Sequence, residues 1–159
     1  MEDLTLARVI HIVAVVLWIG GVAMVTTVIL PAVKKMKTKD DQLKTFEEIE
    51  GRFALQAKIT TLLTGLSGFY MLYKLDAWNR YLDYRFWWIH AMTLVWLLFT
   101  LILFVLEPFI LHKLFKKYVE KNPAKAFSIV HKAHWILLLL SLITIIGAVA
   151  GSHGLFFIT

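Results

Sequence analysis

Cysteine is absent from this chain. Disulfides, iron–sulfur clusters, thiolate–zinc sites, covalent C-x-x-C-H haem attachment and cysteine nucleophiles are therefore excluded. Charge is scarce: 18% of the 159 residues are charged, against about 25% in a soluble domain. No nucleophile elbow, P-loop, dinucleotide fingerprint or H-E-x-x-H pattern is present. Any enzymatic activity would have to be cofactor-borne redox chemistry, an oxidoreductase reaction. What is abundant is apolar: 59% of residues are hydrophobic and the mean hydropathy is +0.71. A disordered chain and an ordinary cytosolic globule are both poor fits to that balance. The length suits one domain.

Four apolar runs stand out, roughly Leu6–Val33, Phe53–Tyr73, Phe86–Leu106 and His134–Ile158. About 20 helical residues cross the hydrocarbon core of a bilayer, and each run is long enough. The first follows Glu2 and Asp3 rather than a basic segment, and no small-residue cleavage site follows it. It reads as a span and not as a signal peptide. The expected fold is all-α, an integral membrane up-down four-helix bundle forming a single domain over residues 1–159.

The basic residues give direction. Lys34, Lys35, Lys37, Lys39, Lys44 and Arg52 lie in the first connection, and Lys113, Lys116, Lys117, Lys121, Lys125 and Lys132 around the third. On the opposite side stand Arg8, Lys74, Arg80 and Arg85, with Lys58 at the inner end of the second run. Basic residues beside span ends stay in the cytoplasm. A bacterial inner membrane protein with both termini on the periplasmic side follows. The net charge of +6 is then a topology signal and an anionic-lipid contact. No nucleic-acid partner is expected, because no stacking or recognition motif accompanies the lysines.

Local signals refine the picture. Asn122-Pro123 reads as an N-cap followed by proline at the first helical position, so the fourth helix starts well before its apolar core. Pro108 predicts a kink, with Phe109–Tyr118 continuing as an amphipathic interfacial segment. Gly20-Gly21, Gly65-x-x-Gly68 and Gly147-x-x-x-Gly151 mark close helix approaches. Glu107 is the one acid inside an apolar run; it could pair with Lys58, cap the kink or carry protons, and pairing is the favoured reading.

The six histidines fall into two triplets. His11, His90 and His153 lie near the outer ends of spans one, three and four; His112, His131 and His134 lie near the inner ends of spans three and four. His90 and His112 are 22 residues apart, as are His131 and His153. That spacing keeps roughly one helical face over about 33 Å. Antiparallel packing would bring His90 near His153 and His112 near His131, with His134 one turn deeper. Trp18 lies two turns after His11 on the same face, where a flat ring could wall a macrocycle.

Neutral imidazole ligates haem iron, copper or zinc. Haem b can take two axial histidines from facing helices, with basic side chains such as Arg52 near its propionates. The expected ligands are two of His11, His90 and His153, with a second haem at His112 with His131 or His134 as a further option. Copper suits the same imidazoles, with Met24, Met71 or Met92 as soft additions, although the clustered methionine pattern of a copper path is missing. A third reading is a structural or assembly subunit with no cofactor. Partners would be membrane lipids, an electron donor or acceptor protein or quinone, and a second copy in a homo-oligomer.

The H-x6-W-x-G-G pattern on His11, Trp18, Gly20 and Gly21 resembles the first span of CopD-like membrane proteins and of the similar HemJ-type protoporphyrinogen oxidases. Arg52-Phe53, then Thr61 to Gly68 with Thr64 and Gly65, fits their second span, and Trp88-Ile-His90 fits the opening of the third. The resemblance covers about the first 110 residues. It implies a four-helix membrane protein tied to b-type haem or copper, with His11 and His90 at the family's histidine positions. Met92 stands where the HemJ type has a lysine.

Overall fold

A computed structural model describes residues 1–155, the side chain of His112 apart. Residues 156–158 of the fourth apolar run lie outside it. Among the described residues all regular structure is helical. Helix α1 spans Glu2–Lys34, including a widened turn at Val25–Ile29. Helix α2 spans Lys39–Lys74. Helix α3 runs Trp87–Leu101 and continues through a widened segment, Ile102–Leu111. Helix α4 is His112–Lys121 and α5 is Pro123–Ser152.

The ends are set by ordinary capping chemistry. The Thr38 side chain accepts from the Asp41 amide at the start of α2. The Asn122 side chain accepts from the Lys125 amide ahead of Pro123, as the sequence predicts. Each satisfies an amide that the first helical turn would leave unpaired. Between α2 and α3 the chain makes two tight turns, Trp78–Leu82 and Tyr84–Phe86.

Both widened segments have a proline at or near them. Proline lacks an N–H, and its ring collides with the carbonyl four residues back. Around Pro31 the helix relaxes to an i+5 pattern, in which the Leu30 amide reaches the Val25 carbonyl. Around Pro108 the widened segment spans Ile102–Leu111.

Helix α1 packs along α2, α2 against α3, α3 against α5, and α5 back against α1. The neighbours run antiparallel: Asp3 pairs with Lys74 at one end of α1 and α2, and Gly21 abuts Phe53 further along. Two apolar clusters fill the interior. One holds Trp18, Val22, Ala57, Val95, Phe99 and Leu138. The other holds Leu30, Val33, Phe46, Val119 and Phe127, towards the lysine-rich end. Short α4 seals that second cluster with Phe115 and Val119 and leaves Leu114 and Tyr118 exposed.

The glycines admit aromatic rings rather than bare backbone. Trp96 fills the notch at Gly65, Trp87 that at Gly147, and Trp88 that at Gly151. A β-carbon at any of the three would overlap the ring. On the outside, Val9, Val13, Val16, Ile136, Ile143 and Ile146 are exposed on α1 and α5. A solvated protein rarely exposes so much contiguous apolar surface. Among the described residues three helices are long and apolar enough to cross a membrane: Glu2–Lys34, Tyr84–Leu111 and Pro123–Ser152.

Candidate functional site

His11 lies on α1 and faces α2. Its Nδ1 sits 3.0 Å from the Thr64 carbonyl oxygen and 3.1 Å from the Ser67 hydroxyl. A carbonyl only accepts, so the bond to Thr64 places the ring proton on Nδ1. Nε2 then carries the lone pair, and it makes no hydrogen bond within the described structure. Gly68 gives the ring its room: a β-carbon there would stand 3.2 Å from His11 Cε1. Fixing Nδ1–H on a backbone carbonyl and leaving Nε2 free is how proteins orient a metal-ligating imidazole.

Seven residues on, Trp18 is buried at 3% exposure and meets Phe99 edge to face, with ring centroids 4.8 Å apart. Its indole Nε1 is buried without an acceptor. A buried donor left unpaired is rare and points to a missing acceptor, a water or a bound group. His11 Nε2 and Trp18 Nε1 therefore offer an electron pair and a donor on one face of α1, with their Cα atoms about 10 Å apart.

The other two outer histidines bond elsewhere. His90 Nε2 donates to the Tyr81 carbonyl at 3.0 Å, which leaves its Nδ1 as the free lone pair. His153 Nδ1 donates to Val149 of its own helix at 2.8 Å, and its Nε2, at an exposed helix end, has no partner among the described residues. The three outer rings thus bond three different carbonyls, and no hydrogen bond joins one to another. The Trp88 ring, in the Gly151 notch, occupies space between α3 and α5 at that end. Among the described residues no cluster of three or more His, Asp or Glu is placed to hold a metal ion.

At the inner end, His131 Nε2 lies 2.9 Å from the Thr26 carbonyl and 3.1 Å from Trp135 Nε1. One nitrogen cannot donate to Thr26 and accept from Trp135 in the same tautomer. The Thr26 carbonyl has the stronger claim. In the widened turn its partner would be the amide of residue 31, which is proline. His134 donates from Nδ1 to Val130 at 2.9 Å, and its Nε2 has no hydrogen bond among the described residues. The His112 side chain, the expected partner of either ring, lies outside the described residues. Arg52 is exposed and pairs with Glu48 at 3.6 Å.

Two features of this region differ in how they show in the sequence. The Lys58–Glu107 pair forms at 2.9 Å, half-buried between α2 and α3. Glu50, on α2 among Phe46, Ile49 and Phe53, is a half-buried acid that the apolar-run reading passes over. Phe46 four positions before it, with Phe53 and Ala54 three and four positions after it, were the available signal.

No family model, curated protein or solved structure matches this chain.

Proposed function

We propose that the chain is a b-type haem protein of the bacterial inner membrane, serving electron transfer or haem-dependent redox chemistry. Its four long helices each cross the bilayer, with both termini on the outer side and the lysine-rich connections inside. The observation that carries the haem reading is His11: its Nδ1–H is fixed on Thr64 and its Nε2 is free. The donor chemistry fits a haem. His11 would hold the iron through its Nε2, and the Trp18 indole N–H, without an acceptor among the described residues, would donate to the bound group. His153 or His90 would be the second ligand; His153 bonds Val149 through Nδ1, which leaves its Nε2 as the lone pair. Haem bound there would supply one-electron chemistry. The chain's own part is to hold the imidazole tautomer, exclude water with the Trp18 and Phe99 packing, and present an outer face to a donor, an acceptor or a quinone. The resemblance to CopD-like and HemJ-type proteins supports the same ligand position. No ligand is assigned at the inner face.

A second reading, a structural or assembly subunit without cofactor, is favoured by one observation: side chains fill the interior, with Trp88 wedged against Gly151. The visible spectrum of the purified protein, with metal analysis, separates the readings. A reducible Soret band with sharp α and β bands supports haem. Stoichiometric copper without that band supports copper handling through the same outer imidazoles, and neither supports the structural reading.

A further inference from the structure

Glu50 lies three residues before the second apolar run, towards the lysine-rich end. It lines a small, partly open space of about 20 Å³ together with His134 of α5. The remaining wall is apolar: Val25 and Ile29 of the widened turn in α1, and Phe46 and Phe53 of α2. That volume holds one water, and a water stays where it finds polar partners. Here the two polar lining residues are Glu50 and His134.

The charges around the chamber do not balance. Three carboxyls face this region: Glu47 and Glu50 from α2, and Glu107 from the widened segment of α3. Two ammonium groups answer them. Lys58 of α2 takes Glu107 at 2.9 Å, and Lys116 of α4 takes Glu47 at 3.2 Å. From α5 come His134 and His131, whose Nε2 is spent on Thr26. From α1 come only the apolar Val25 and Ile29. Among the described residues Glu50 is left without a cation. A half-buried carboxylate with no counter-charge, facing two other carboxylates, is neutralised most cheaply by a proton.

We propose that Glu50 is a proton-binding site, linked through a water in this chamber to His134 and loaded from the lysine-rich face of the membrane. Burial, with repulsion from Glu107 and Glu47, pushes the Glu50 carboxyl up to about 7. The site therefore exchanges its proton near neutral pH. It goes beyond the haem reading and stands without it, because it uses no outer histidine.

The test is infrared difference spectroscopy of the purified full-length protein in lipid nanodiscs, titrated from acid to alkaline pH. A protonated carboxylic C=O band should disappear with a midpoint near 7, and Glu50→Gln should abolish that band. Glu107→Gln removes a repelling charge and frees Lys58, so the midpoint should move to lower pH. Absence of a band titrating near neutrality, or a band that survives Glu50→Gln, overturns the proposal. If Glu50→Gln fails to fold, the Glu107→Gln midpoint decides, and an unmoved midpoint overturns it.

Discussion

The His131 ring of α5 donates from Nε2 to the Thr26 carbonyl of α1 across 2.9 Å. The bond answers a vacancy that Pro31 creates, since the widened turn offers Thr26 no amide at residue 31. A proline in one helix thereby fixes a histidine in another. His131→Leu should lower stability by about 1–3 kcal/mol, the cost of a buried carbonyl left unpaired. In a Pro31→Ala background, where the amide returns, that loss should shrink. Denaturation midpoints in detergent check both. An outer haem should keep its spectrum in His131→Leu.

The glycine notches predict opposite signs for similar changes. Gly151→Ala forces a methyl into the Trp88 ring and should cost on the order of 1–3 kcal/mol. Gly20→Ala meets no atom within 4 Å and should be neutral or slightly stabilising through helix propensity. Thermal unfolding of the two variants side by side reads the contrast.

Glu50 also predicts how stability depends on pH. Its carboxyl is raised in the folded state, from 4.5 to about 7. The folded state then holds this proton more tightly than the unfolded chain does. The stabilisation is complete below 4.5 and is lost as pH rises through 7. Stability in detergent should therefore fall between those values, and the slope should flatten in Glu50→Gln. A wild-type protein whose stability rises through that window, with the same slope in the variant, contradicts the assignment.

The natural absence of cysteine makes topology directly measurable. Single cysteines at Asp40, Asn79 and Asn122 report the three connections. With four spans, an impermeant thiol reagent added outside should label Asn79→Cys and spare the other two. If α2 does not cross, positions 40 and 79 should be labelled alike.

Much of the fold was legible because its signals are local. The Asn122-Pro123 cap, the disturbance at Pro108 and the Lys58–Glu107 pair each follow from residue type and depth in an apolar run. What was not legible depends on which helix faces which. The partner of His11 lies 53 positions away at Thr64, and nothing near either residue announces the other. The glycines signalled close approach, yet not that Trp87, Trp88 and Trp96 would fill them. Pro31 lies inside the first apolar run, near its end, and nothing in the run's composition announces the widened turn or its orphaned carbonyl. Glu50 was hidden because acids close to lysines read as a solvated face. Its partial burial arises only when α5 and the widened turn of α1 pack beside it.

The central claim is tested most directly by the visible absorption spectrum of the purified wild-type protein, reduced and oxidised, beside that of His11→Ala. A b-type spectrum in the wild type, lost or shifted in His11→Ala and in the variant of its axial partner, is the predicted result. A wild-type protein without a Soret band, or a spectrum unchanged when His11, His90 and His153 are each replaced, would contradict it.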